Sequence, residues 1–127
     1  MADWAKKDEA LIERVDGLLA TAPVRRKNMF GTAAWFLDSN DNIFAGAWGT
    51  SVMLRVDEER TKNLIETGMA RPFDPMGGRP MREYVLLEGE QVAEDEDLLN
   101  WLEQASEFVV TLPPKTSRNR RKPGKTR

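Results

Sequence analysis

Both faces of one extended stretch in this chain are apolar. On either side of the turn signal Asp38-Ser39-Asn40-Asp41-Asn42 the residues alternate with a period of two. Phe36, Phe44 and Trp48, with Ala34 and Gly46 between them, fall on one side. Trp35, Leu37, Ile43, Ala45 and Ala47 fall on the other. Burying one large aromatic side chain contributes about 1.5–3 kcal/mol, so neither face can be left to water. Helices would cover one face. The other, with Phe36, Phe44 and Trp48 as the candidate apolar interface, needs the loop at residues 73–81, a ligand or a second copy of the chain in a homodimer.

The rest of the chain supplies those helices. Trp4, Leu11, Ile12, Val15, Leu18, Leu19 and Ala22 recur at helical spacing. Asp3 is the expected N-cap and Pro23 the stop. Gly17 inside this run costs about 1 kcal/mol relative to alanine, so the helix must lean on packing. Residues 26–37 read as one extended strand with a bulge or bend at Gly31. Residues 43–48 and 51–56 are two more, joined at Gly49-Thr50 by a two-residue hairpin. In the last, Val52, Leu54 and Val56 face one way and Ser51, Met53 and Arg55 the other.

Asp57 caps a second helix that Gly68 ends. Residues 69–81 hold three prolines and two glycines, which exclude a helix. A short edge strand near residues 71–73 precedes a better one over residues 82–88. Leu98, Trp101, Leu102, Ala105, Phe108, Val109 and Leu112 then form the apolar stripe of a last helix, stopped by Pro113-Pro114. The order αβββαββα, with short turns, implies an α+β domain of two layers: an antiparallel sheet with helices packed mainly on one face.

Composition narrows the chemistry. The 127 residues include no histidine and no cysteine. That excludes imidazole acid/base catalysis, thiol nucleophiles, disulfides and the usual zinc sites. No apolar run approaches the roughly 18–20 residues that span a bilayer, and the charged start, Met-Ala-Asp-Trp-Ala-Lys-Lys-Asp, lacks the apolar centre of a signal peptide. The expectation is a cytoplasmic protein with no membrane contact. The formal net charge of −2 conceals a segregation. Residues 1–114, read as a single domain, hold twelve basic and twenty-one acidic side chains. Residues 115–127, read as a basic disordered tail, hold seven cations and no acid.

Three charged candidates follow. The loop with Arg71, Gly77, Gly78, Arg79 and Arg82 could offer backbone amides and guanidinium groups to an anion or small ligand, although its spacing is that of no phosphate-binding fingerprint. A proline-fixed connection with Phe73, Met76 and Met81 tucked under the sheet is the plainer alternative. Arg25, Arg26 and Lys27 could meet phosphate or an acidic partner, or serve as edge-strand charges that discourage pairing. Lys115, Arg118, Arg120, Arg121, Lys122, Lys125 and Arg127 could bind nucleic acid with little sequence preference, since no aromatic residue is interleaved for base stacking. No serine, lysine or acid stands in a recognisable nucleophile–base arrangement, so neither an enzyme nor a metal or cofactor is expected.

Three segments together resemble the N-terminal domain of the TfoX/Sxy family. They are Arg26-Lys27-Asn28-Met29-Phe30-Gly31, then Ile43-Phe44-Ala45-Gly46-Ala47-Trp48-Gly49 with Leu54-Arg55-Val56-Asp57, and finally Arg71-Pro72-Phe73-Asp74-Pro75-Met76-Gly77-Gly78-Arg79-Pro80-Met81 with Tyr84-Val85. The resemblance runs from about residue 8 to residue 114. It implies the same two-layer α+β fold. Two-domain members of the family regulate competence genes as co-activators with the cyclic-AMP receptor protein. The expectation from the resemblance is a stand-alone N-terminal domain, with a short basic tail in place of their helical second domain. The family has no accepted catalytic residues. The expected function is a non-enzymatic interaction module, an accessory factor to a protein partner such as the transcription machinery. A small-ligand or anion-binding domain is the alternative.

Overall fold

The computed structural model describes residues 8–29, 31–75 and 77–114. Helix α1 spans Glu9–Leu18, and Asp8 caps it by accepting the Leu11 N–H at 3.1 Å. Asp3 and Trp4, expected in this helix, lie outside the described residues. Strands β1 (Val24–Met29), β2 (Thr32–Leu37), β3 (Ile43–Trp48) and β4 (Ser51–Arg55) follow as a meander. Helix α2 (Glu58–Glu66) has Asp57 as its N-cap, with Oδ1 2.7 Å from the Arg60 nitrogen. It ends at Gly68, φ 80°, whose N–H donates to Ile65 O while Met69 N–H donates to Leu64 O. This pair of bonds satisfies two of the carbonyls left over at a helix end. Strands β5 (Arg71–Pro72) and β6 (Tyr84–Leu87) and helix α3 (Asp95–Val109) complete the chain.

All neighbours in the sheet are antiparallel, in the order β1-β2-β3-β4-β6-β5. The α+β class and the order of helices among strands agree with the sequence reading. The strand expected over residues 26–37 is divided in two. Met29 pairs with Thr32 across a two-residue connection holding Gly31 at φ 74°, so the chain reverses there and the sheet gains a sixth strand. A left-handed glycine suits a hairpin as well as a bulge, and only the pairing partner separates the two.

All three helices lie on one face. Ile12 and Val15 of α1, Leu64 of α2, and Leu98, Leu102, Ala105 and Val109 of α3 pack over Trp35, Phe44, Leu54, Val85 and Leu87. Polar bonds fix the layers in register. The Trp35 indole N–H donates to Asp16 Oδ1 at 2.9 Å. Arg14 ties α1 to the start of α3, pairing with Asp95 and donating to Ala93 O.

The outer face carries Ala34, Phe36, Ile43, Met53 and Leu86, closed by Phe73, with Trp48 and Tyr84 packed beside them. Phe44 is not among them. The β2–β3 register places Trp35 opposite Ala45 but Phe36 opposite Ile43, leaving Phe44 unopposed. The extra residue breaks the period of two. Ile43 turns outward, and Phe44 joins the helix-side core with no exposed surface.

Candidate functional site

The sequence between α2 and β6 builds the most distinctive surface of the domain. β5 is an edge strand of two residues pairing with Val85 and Leu86. Directly after it, Phe73 turns inward to 2% exposure. Its ring meets Trp48 edge-on at 5.2 Å and lies 6.0 Å from Tyr84. Phe73 thus covers the outer face from within the chain, which is the loop-covered arrangement among the three expected for Phe36 and Trp48.

Asp74 then folds the loop on itself. Its Oδ2 accepts the Gly78 N–H at 2.9 Å, its Oδ1 the Arg79 N–H at 3.3 Å, and its carbonyl the Gly77 N–H at 3.3 Å. The Met81 N–H donates to Phe73 O at 2.9 Å and closes the base. Gly77 and Gly78 sit at φ 78° and 95°, where a side chain would be strained. Of the two glycine amides read from sequence as a cradle for an external anion, that of Gly78 already holds the Asp74 carboxylate and that of Gly77 the Asp74 carbonyl.

Arg71 is also engaged internally. It pairs with Glu88 Oε2 at 2.8 Å, while Ser51 Oγ donates to Oε1 of the same carboxylate at 2.8 Å. These two bonds, the Arg71 one foremost, hold the Glu88 carboxyl below its ordinary range. Arg79 and Arg82 differ. Among the described residues neither guanidinium makes an ion pair. Both line an open depression of about 870 Å³ with Glu58, Pro80, Met81 and Tyr84. Met81 is 40% exposed. Glu83 beside it is held by Arg55, through Nε at 3.2 Å and Nη2 at 3.1 Å. Burial raises the Tyr84 hydroxyl above its ordinary pKa, an effect that the Arg55 cation partly offsets.

The other charged candidates are placed differently. Arg25, Arg26 and Lys27 lie on edge strand β1, each beside an acid. Arg25 pairs with Asp38 and Asp41, Arg26 with Asp16, and Lys27 with Asp41 at 3.6 Å. The Lys27 ammonium also sits 4.8 Å over the Phe36 ring. The seven tail cations, Lys115 to Arg127, lie outside the described residues. Among the described residues no group of three or more acids could hold a metal ion, and no helix is long and apolar enough to cross a membrane.

Sequence reasoning missed Asp74, although an aspartate ahead of paired glycines is a known way to close a turn. It also missed Asn40 and Asn42, whose side-chain amides reach the carbonyls of Val109, Leu112 and Pro113. Nothing local could reveal partners about 70 residues away.

Fold and site together define a small two-layer α+β domain that presents a braced, arginine-bearing loop beside its sheet. The model of the TfoX N-terminal domain matches residues 16–109, from within α1 to the last residue of α3, and the chain belongs to that family. Compared with curated proteins, the chain matches none.

Proposed function

We propose that this chain is a non-enzymatic interaction module, an accessory factor of the regulator type that docks a protein partner through residues 79–84. The supporting observation is the contrast within one loop. Phe73 and Asp74 fix its shape from inside, yet all six residues from Gly77 to Arg82 are exposed. A segment held rigidly without contributing to the core is pre-organised for contact, because little ordering cost remains at binding. Its residue types, two free arginines with a methionine and a half-buried tyrosine, are those enriched at protein interfaces. The guanidinium pair selects a partner presenting carboxylates.

Photo-crosslinking in cells tests this reading. A photoreactive residue in place of Met81 should give a discrete adduct that disappears on Arg79→Ala with Arg82→Ala. The same residue in place of Met69, also exposed at 38%, should not. Equal adducts from both positions, or none from 81, would refute it.

The two unpaired guanidiniums also favour a second reading, a small anionic ligand in the same depression. In that case one member of an anion and nucleotide panel should raise the melting temperature in a manner that Arg79→Ala abolishes.

A further inference from the structure

A second concavity, of about 430 Å³, lies between the end of α1 and α3. Its floor is apolar, with half-buried Leu18, Ala22, Val24 and Leu99 over the buried Leu37, Phe44 and Leu102. Its rim carries Glu103 and Glu107, on successive turns of α3. Both carboxylates are exposed, and among the described residues neither makes an ion pair. Val110, 53% exposed, stands at one end of the groove. An apolar floor under two unpaired carboxylates fits an occupant that is aliphatic along its length and cationic at its tip. Lysine and arginine side chains have that form, with stems that cover apolar surface while the heads stay in water.

The chain carries such an occupant shortly after α3 in sequence. From residue 83 to residue 114 it has nine acids and no base, and residues 115–127 reverse this with seven cations and no acid. The exit point is fixed. Asn40 holds the Leu112 carbonyl and Asn42 the Pro113 carbonyl, so the described chain ends at Pro114, four residues past Val110. Glu103 lies seven residues before Val110, about 10 Å along the helix. Eight residues of extended chain reach about 26 Å, so the cations at 118–122 are within range of both carboxylates.

We propose that residues 115–127 dock into the α1–α3 groove of their own chain, their stems over the apolar floor and their charged heads on Glu103 and Glu107. The short connection gives the tail an effective concentration in the millimolar range, which a separate molecule would have to match. A tail held in this way is withheld from nucleic acid until a polyanion outcompetes the two carboxylates. The proposal is independent of the loop at residues 79–84.

Zero-length carbodiimide crosslinking of the full chain, read by mass spectrometry, tests the contact. Dilute protein should give intramolecular links from Lys115, Lys122 or Lys125 to Glu103 or Glu107, at several times the yield to the exposed acids Glu58, Glu59 and Glu66 of α2. The links should fade as salt is raised. Even yields across α2 and α3 would mean diffuse attraction and overturn the proposal. So would links that form only between two molecules. As a second measurement, amide NMR signals of residues 103–110 should move when the chain is cut after Pro114, a truncation that leaves every core residue in place. They should move in the same direction with Glu103→Gln and Glu107→Gln in the full chain. Unmoved signals would equally refute docking.

Discussion

The side-chain amide of Asn40 donates to the Val109 carbonyl at 2.8 Å, joining the β2–β3 turn to the last turn of α3 across 69 residues. A helix end leaves its final carbonyls without partners, and here the sheet supplies them. The same amide reaches Leu112 O at 3.2 Å, and Asn42 repeats the device on Pro113 O at 2.9 Å. Asn40 is 6% exposed, so water cannot readily replace it. Asn40→Ala should therefore cost about 1–3 kcal/mol, the penalty for stranding buried acceptors. Urea unfolding should show a lower midpoint with an unchanged slope.

The Arg71–Glu88 pair makes a pH prediction. Hydrogen bonds from Arg71, the larger cause, and from Ser51 hold the Glu88 carboxyl below its ordinary value of 4.5. The unfolded chain then binds the proton more readily than the folded one. This contribution to stability is present above pH 4.5 and is lost as pH falls through the depressed folded value. Arg71→Gln should raise the titration midpoint of Glu88, followed by carboxyl-carbon NMR, and move the acid-unfolding transition to higher pH. Ser51→Ala should do the same to a smaller degree. Because the pair is partly exposed, the effect should weaken in high salt.

Tyr84 gives the opposite sign. Burial raises its pKa above 10.0, so the folded chain keeps the phenol proton longer than the unfolded one. Stability should fall as pH rises through the raised folded value, and Tyr84→Phe should remove that alkaline slope while leaving the neutral range unchanged. Ultraviolet titration of the chain's single tyrosine reads this directly.

Where a period ran unbroken, the sequence was a sufficient guide. Val52, Leu54 and Val56 face the helices and Met53 faces away, and the alternation of Tyr84 and Leu86 against Val85 and Leu87 is as read. The caps at Asp57 and Gly68 are local events with local signals. What failed depended on which strand a segment pairs with and in what register. Gly31 reads alike as bulge or reversal until Met29 is seen beside Thr32. Phe44 changes side because of a register shift visible only against β2. At the loop, residue types marked Arg71 and Arg79 equally. The β5–β6 register brings Arg71 near Glu88 and takes it out of the candidate site.

Phe44 provides a sharp test of that correction. An aromatic residue at an open interface can be truncated with little loss of fold. Phe44 has no exposed surface and sits among Trp35, Leu54 and Leu102 in the helix-side core. Phe44→Ala should cost about 3–5 kcal/mol, as for other buried phenylalanines, and should broaden side-chain NMR signals from α3. A loss under about 1 kcal/mol would return Phe44 to the surface.

Asp74 separates shape from charge at the proposed docking loop. Its carboxylate holds the Gly78 and Arg79 amides but lies on the surface, where water can replace it. Asp74→Ala should thus lower stability by only about 0.5–1.5 kcal/mol while speeding hydrogen exchange at those two amides. The effect on binding discriminates further. Removing a negative charge beside Arg79 strengthens any purely electrostatic attraction to an acidic partner. If the partner instead reads the fixed arrangement of Arg79, Met81 and Arg82, loosening the loop raises the ordering cost and weakens the complex. The adduct formed from position 81 should therefore decrease in Asp74→Ala, despite the more favourable charge. An increase would mean that the loop acts as a patch of positive potential, and the braced geometry would have no part in recognition.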